Sequence, residues 1–267
     1  MLALILTTSG AAAFAQELPP LRQPSKPPIG DSGNFNPGSL VKRPDGGGGS
    51  QLVADLFKPL GRDFKGMVSR DNLMRASIGG AGAVAGNHWD SRTSAHKWGQ
   101  TFGSVMEPGV VAGSFLVQGG AAFATYAIGR TTHSIKVAAV GASLFRAQVV
   151  SQTVAQGIKI AAQRTRPDGT TLSFPSGHSA SAFATASVLQ SELGWKVGIP
   201  AYGAAAWVAA SRVHAKRHYL SDVIAGATIG IMAGRSVTVG SGRMKFAVSP
   251  APVPRGVSVN FVKLNAH

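Results

Sequence analysis

Apolar residues recur at helical spacing over most of the chain after residue 50. Those between residues 52 and 60 share one predicted helix face, which Pro59 would kink or end. The polar run at residues 69–72 offers capping side chains for a further helix. The pattern therefore predicts an all-α helical bundle over residues 51–236.

A long uncharged run, Pro108–Gly129, is long enough in principle to cross a bilayer. It contains Ser114 and Gln118, and the neighbouring predicted helices carry Lys, Arg and Gln, whereas membrane spans usually read more uniformly in Leu, Ile and Phe. We therefore predict a buried central helix of a soluble bundle over this run, in preference to a membrane span. The domain at residues 51–267 is expected to stay in solution without detergent.

Both ends of the chain differ from this helical part. Residues 1–15 join an apolar stretch to small residues that end in Ala-Phe-Ala, which is typical of a secretory signal. Residues 16–50 are rich in Pro and Gly and predict a disordered linker. Residues 237–267 alternate apolar and polar positions around three prolines, which predicts a β-hairpin-like tail. We therefore expect an exported protein, periplasmic or secreted.

The formal net charge of +15 indicates which classes of partner are favoured. It favours phosphorylated or otherwise anionic molecules, and it is compatible with peripheral contact with an anionic membrane surface. Nucleic acid is disfavoured as a partner because the basic residues are spread out and form no stripe interleaved with aromatic residues. The chain has no cysteine, which excludes disulfides, a thiol nucleophile and a Cys-ligated metal.

Three short segments hold the candidate chemistry: Lys159-(six residues)-Arg166-Pro167, Pro175-Ser176-Gly177-His178 and Ser211-Arg212-(five residues)-His218-(three residues)-Asp222. Guanidinium forks and a lysine point charge supply the fixed positive charge that an oxyanion needs, and imidazoles can attack or transfer a proton. The Pro and Gly of the second segment are typical of a helix start, where backbone N–H groups bind anions.

The spacing within the third segment also predicts a contact. His218 and Asp222 are four residues apart and share one helix face, so we expect the carboxylate to accept the imidazole N–H and fix its tautomer. A separate cluster, His88-Trp89-Asp90, is left out of the site, because a His beside a Trp is more often a structural or surface residue than a ligand.

At these residues the chain resembles the type 2 phosphatidic acid phosphatase superfamily, which includes bacterial class A acid phosphatases and vanadium haloperoxidases. The resemblance implies that His218 attacks phosphorus and forms a phosphohistidine, and that Asp222 orients His218. His178 would protonate the leaving group and then activate water. The residues implied to hold the phosphoryl oxygens are Lys159, Arg166, Ser176, Gly177 and Arg212, and neither a metal nor another cofactor is implied.

The expected function is hydrolysis of a phosphate monoester by an acid phosphatase or a lipid phosphate phosphatase. The sequence leaves open a soluble ester, a phosphatidate-like lipid or a lipid A phosphate as the substrate. One alternative is a vanadium-dependent haloperoxidase, although haloperoxidases tend to be longer chains. The other is an inactive exported protein that binds anionic lipid, and the intact set of catalytic residues argues against it.

Overall fold

The computed structural model describes residues 54, 56–96, 100–238, 245–253 and 256–264, with the backbone alone for residues 100–102 and for the last two ranges. The predicted signal-like segment and the linker, residues 1–15 and 16–50, lie outside the described residues. The domain boundaries drawn from the sequence stay predictions.

Nine helices within the described residues follow one another along the chain. They are α1 Leu60–Met67, α2 Arg70–Asn87, α3 Asp90–Ala95, α4 Gln100–Ala112, α5 Phe115–Thr131, α6 Ile135–Ala162, α7 Gly177–Leu193, α8 Trp195–His214 and α9 Leu220–Thr238. Two strands follow, β1 Lys245–Val253 and β2 Gly256–Leu264, and they pair antiparallel with Lys245 opposite Leu264. The predicted all-α bundle with a C-terminal hairpin is confirmed.

The core of the bundle lies where α6, α7 and α9 pack together, with α5 against α6 and α2 against α9. Small apolar side chains fill it, among them the fully buried Ala147, Val150, Ala184, Val188 and Ala233. Because these side chains are short, the helices approach closely. The close approach brings the start of α7 next to the start of α9, where the Ser176 N–H donates to the Asp222 carbonyl oxygen at 2.9 Å.

The run at residues 108–129 is not the single buried helix that its composition predicts. Ser114 has an extended backbone and caps α5 with its hydroxyl, which accepts a hydrogen bond from the Val117 N–H at 3.3 Å. The run therefore breaks between α4 and α5, whose axes differ by 55°. Large apolar side chains on both helices face outward, including Leu116 with 83% of its surface exposed.

Within the described residues, no helix taken alone has the length and hydropathy of a membrane span. The segments Gly103–Ala112 and Phe115–Thr131 have that length and hydropathy only when they are taken together, as a bent pair. Large apolar side chains are also exposed on other helices, for example Val84 on α2 and Ile160 on α6. The bundle thus presents an outer surface with many apolar side chains.

Gly230 on α9 should tolerate no side chain, because α7 lies directly against it. A Cβ at this position would lie 2.3 Å from the Ala180 carbonyl oxygen and 2.8 Å from the Ala184 nitrogen, which are backbone atoms. We expect Gly230→Ala to lower the free energy of unfolding by about 1–3 kcal/mol, measured by denaturant titration.

Gly203→Ala on α8 is the matched control, because nothing lies within 4 Å of its added Cβ. That change should stabilise the protein by roughly 0.5–1 kcal/mol, since alanine is the better residue inside a helix. Equal effects of the two substitutions would contradict the close approach of α7 and α9.

Candidate active site

The loop between α6 and α7 connects the three motifs. The Nζ of Lys159, in the last turn of α6, donates to the carbonyl oxygens of Leu172 and Pro175, each at 2.8 Å. Arg166 reaches the Leu172 carbonyl oxygen at 3.5 Å with Nη2. The Phe174–Pro175 peptide bond is cis. The loop thus holds its cations by backbone carbonyls, which carry no full negative charge.

Lys159 is 6% exposed and lies among other cations. Burial lowers the pKa of its ammonium group to about 8, and the positive charges of Arg166 and Arg212 add to this effect while Asp222 opposes it. Lys159 is therefore still a cation near neutral pH, but one that is close to losing its proton.

Arg166 and Arg212 have guanidinium nitrogens that lack partners. The Nε of Arg166 and the Nε and Nη1 of Arg212 are buried, and none of them has a hydrogen-bond partner among the described residues. Burial lowers the pKa of both groups, with further lowering by Arg217, and that of Arg212 falls to about 10. Buried donors of this kind are costly unless an acceptor fills the space, and an oxyanion supplies such acceptors.

The start of α7 adds backbone donors to the same region. The Ser176 hydroxyl is fully buried and caps the helix by accepting from the Ser179 N–H at 3.4 Å. The first bond along the helix is donated by the Ala180 N–H to the Ser176 carbonyl oxygen. The N–H groups of Gly177 and His178 precede that bond and lie at the positive end of the helix dipole. The contact of the Ser176 side chain is thus a helix cap, and its role towards phosphate stays a prediction.

His218 makes a different hydrogen bond from the one that its spacing predicts. Its Nδ1 lies 2.7 Å from the Ser173 carbonyl oxygen and 3.7 Å from Asp222 Oδ2. Because a carbonyl can only accept, Nδ1 carries the proton and Nε2 keeps its lone pair. The distance to Asp222 allows an electrostatic contact but exceeds that of a hydrogen bond.

Other donors already occupy the Asp222 carboxylate, which explains this difference. Its Oδ2 accepts from the Ser173 hydroxyl and from the Tyr219 N–H at 2.8 Å, and its Oδ1 accepts from Arg164 at 2.8 Å. Burial alone would raise the pKa of Asp222, but the interactions with His218 and with these donors hold it below its usual value. Asp222 is therefore an anion, although it is fully buried.

Burial favours the neutral form of both histidines. Burial lowers the pKa of His218, and the Asp222 carboxylate opposes that shift. Burial also lowers the pKa of His178 to about 4, with contributions from Arg212 and His218, although a hydrogen bond with the Val110 backbone opposes them. A bound phosphate dianion would raise the pKa of His178 again and so prepare it to donate a proton.

Four polar residues beyond the predicted set complete the site: Arg164, Ser173, Ser221 and Asp90. Arg164 could have been suspected as a further cation within the first motif. Ser173 and Ser221 lie in or beside the motifs but have no distinctive spacing. Asp90 belongs to the cluster that sequence reasoning set aside, and its contact with Ser221 joins positions 131 residues apart. A pattern of neighbouring residues cannot predict a contact between positions so far apart in the chain.

Comparison with known proteins finds matches to the part of the chain that holds the three motifs. Residues 136–243 match the model of the PAP2 superfamily, so the resemblance carried by the three motifs is confirmed. A lipid A 1-phosphatase of Porphyromonas gingivalis is 43% identical over 75 residues, which cover 27% of this chain and only 17% of that protein. The crystal structure of a transmembrane PAP2-type phosphatidylglycerolphosphate phosphatase from Bacillus subtilis aligns with 71% of this chain and 95% of its own, at 20% identity and a TM-score of 0.42.

The pKa of Lys159 predicts how anion binding depends on pH. The ammonium group of the free protein is charged below a pH of about 8 and neutral above it, so affinity for an anion should fall as the pH rises through that value. Sulfate is a suitable probe because its own charge is constant in this range. We expect its affinity, measured by calorimetry, to fall by up to about tenfold for each pH unit above 8.

Lys159→Arg is the matched variant for this measurement. Arginine stays charged throughout the range, so the decline should shift to higher pH. Sulfate affinity that stays level in the unsubstituted protein up to pH 9.5 would contradict the low pKa of Lys159.

Proposed function

We propose that this chain, in which residues 136–243 form a PAP2-superfamily segment, hydrolyses phosphate monoesters through a phosphohistidine and without a metal ion. The observation that carries the proposal is the buried imidazole of His218, whose Nδ1 bonds to the Ser173 carbonyl oxygen and leaves Nε2 available, in the electrostatic reach of buried cations. This combination supplies a nucleophile and, beside it, positive charge that can bind the phosphoryl group.

In the first step, His218 Nε2 attacks phosphorus and the bond from phosphorus to the ester oxygen breaks. His178 gives its proton to that oxygen, so the alcohol leaves neutral. The imidazole gains positive charge, which the Asp222 carboxylate stabilises from 3.7 Å while the Ser173 carbonyl oxygen accepts a hydrogen bond from the Nδ1–H group. In the second step, His178 takes a proton from water, the hydroxide attacks phosphorus, and phosphate leaves His218.

The oxygens of the transferred group gain their stabilisation from Lys159, Arg166 and Arg212. Phosphoryl transfer requires little beyond positioning and neutralisation of charge on these oxygens. Arg166 and Arg212 have buried N–H groups without partners among the described residues, and Lys159 adds a positive charge beside them. Together they can fulfil both requirements, which supports a reaction that needs no metal ion.

The proposed substrate class is a phosphate ester carried by a lipid. The bundle exposes large apolar side chains on several helices, as a protein in contact with lipid would. The matched segment of the lipid A 1-phosphatase points the same way. Attachment to a membrane follows from this proposal and would replace the solubility without detergent that the sequence predicted. Export remains a prediction from residues 1–15. Neither the haloperoxidase nor the inactive binding protein is favoured by the comparisons.

Phosphate release from purified full-length protein in detergent micelles, with EDTA present, tests this function. The substrates are a lipid A-type phosphate, a phosphatidate and a soluble aryl phosphate. We expect turnover of at least one lipid phosphate at a higher kcat/KM than that of the aryl ester. Halide oxidation with added vanadate but no phosphate release would instead establish the haloperoxidase.

His218→Ala should abolish the covalent intermediate, because it removes the proposed nucleophile. We expect turnover to fall on the order of a thousandfold or more, together with loss of an acid-labile phosphoenzyme trapped by rapid quench. His88→Ala, at an exposed histidine, is the control and should keep both signals. A phosphohistidine that persists in His218→Ala would show that another residue attacks.

His178→Ala should affect substrates according to their leaving groups. An alkoxide requires a proton to leave, whereas a nitrophenolate does not, so the loss of kcat/KM should be larger for an alkyl phosphate by about 10²–10⁴. Losses of equal size for both esters would remove His178 from the role of general acid.

A further inference from the structure

Arg164 lies between two buried carboxylates. Its Nη1 donates to Asp222 Oδ1 at 2.8 Å and to Ser221 Oγ at 2.7 Å. Its Nη2 donates to Asp90 Oδ2 at 2.8 Å and to Asn87 Oδ1 at 3.2 Å. All four N–H···O contacts lie at hydrogen-bond distance, so the planar guanidinium is fixed in both position and orientation.

Asp222 depends on Arg164 for a direct cationic partner. The carboxylate is fully buried, and a buried anion is stable only when it is paired and hydrogen-bonded. Among the described residues, Arg164 is the only Lys or Arg with a nitrogen within ion-pair distance of Asp222. Lys159 and Arg166 interact with this carboxylate over longer distances.

Asp90 holds Arg164 from the other side. It is the first residue of α3, and its carboxylate is almost fully buried. Besides the guanidinium, it accepts from the Ser221 N–H at 3.0 Å and from the Ser221 hydroxyl at 2.5 Å. Asp90 therefore fixes both Arg164 and the first turn of α9, the helix that carries Asp222.

Ser173 connects Asp222 to the nucleophile. Its hydroxyl donates to Asp222 Oδ2, and its carbonyl oxygen accepts a hydrogen bond from His218 Nδ1, with 2.7 Å between the nitrogen and the oxygen. If Asp222 moved, the Ser173 hydroxyl would lose this acceptor, and protonation of Asp222 would weaken the hydrogen bond. The acceptor that fixes the tautomer of His218 would then be free to move as well.

We infer that Arg164, held by Asp90, is a positioning residue that keeps His218 aligned for attack by acting through Asp222 and Ser173. Arg164 contacts Asp222 at Oδ1, whereas His218 lies nearest Oδ2, so its influence passes through the carboxylate. The kinetic part of this inference rests on the proposed phosphatase function.

Steady-state hydrolysis of an aryl phosphate by full-length Arg164→Gln and Arg164→Lys gives the kinetic test. For Arg164→Gln we expect kcat to fall on the order of 10- to 100-fold with little change in KM, because binding of the phosphate is left intact. Arg164→Lys should lie between this variant and the unsubstituted protein, since lysine keeps the charge but cannot bridge both carboxylates.

The pH profile separates positioning from a general loss of structure. Arg164 lowers the pKa of Asp222, so removing it should let Asp222 take a proton at a higher pH. The acid limb of kcat/KM should therefore move to higher pH in Arg164→Gln and less in Arg164→Lys.

Arg146→Gln is the matched control. It breaks another buried Arg–Asp pair, in which Arg146 Nε donates to Asp63 Oδ2 at 2.8 Å, and neither residue contacts the site. We expect a lower thermal midpoint with unchanged kcat and pH profile. A loss of activity in Arg164→Gln with an unmoved acid limb, or one reproduced by Arg146→Gln, would overturn the inference.

The space beside Arg164 permits chemical rescue. A cavity of about 550 Å³ is lined by Arg164 together with Asn87, Phe174 and Ser221, so a small cation can reach the place that Arg164→Ala vacates. Millimolar guanidinium should restore part of the lost kcat in that variant. Urea has a similar planar shape without the charge and should not, and an equal effect of both would contradict an electrostatic role.

A readout without turnover keeps the inference separate from the proposed function. The His218 Nδ1 proton, bonded to Ser173, should give a slowly exchanging downfield NMR signal that is lost in Arg164→Gln and kept in Arg146→Gln. If the unsubstituted protein hydrolysed no phosphate ester, the proposed function would be wrong, yet this dependence would still support positioning. A signal unchanged in Arg164→Gln would overturn it.

Discussion

The site is built around positive charge that is buried without enough negative charge beside it. Lys159 and Arg166 bond to backbone carbonyls of the loop after α6, while three buried guanidinium nitrogens of Arg166 and Arg212 lack partners among the described residues. Burial and repulsion from neighbouring cations lower the pKa of each of these groups. An oxyanion relieves both effects at once, so the folded chain is complementary to the charge that its proposed substrate carries.

The loop at residues 172–176 positions the buried charge and the proposed nucleophile relative to each other. Its carbonyls orient Lys159 and His218, and its last residue caps the helix that begins with Gly177 and His178. Asp222 lies behind the loop and is bonded to Ser173. A short segment with no periodic pattern of its own therefore positions side chains from α6, from α9 and from the turn before α9.

The sequence predicted the helical class and the set of motif residues, because both follow from local spacing. Spacing also predicted that His218 and Asp222 share one helix face, but His218 lies before α9. Spacing could not show that Ser173 would become the acceptor. That outcome depends on Arg164 and Tyr219, which already occupy the carboxylate. The break at Ser114 was missed because composition reports hydropathy and not the direction of a helix axis. Asp90 was missed because its contact joins segments far apart in the chain.

The close seam between α7 and α9 sets the spacing of the two proposed catalytic histidines. Gly226, Gly230 and Gly234 lie at intervals of one helical turn, and a Cβ on any of them would come within 2.6 Å of an atom of α7 or its cap. His178 is the second residue of α7, and His218 lies two residues before the first residue of α9. A side chain added at any of these glycines would push α7 and α9 apart. Even at the ends of the helices that lie far from the site, this displacement would move the imidazoles of His178 and His218. Reaction rates fall steeply when reacting groups shift by about 1 Å, so the bulk of a residue several turns away can govern turnover without touching the substrate.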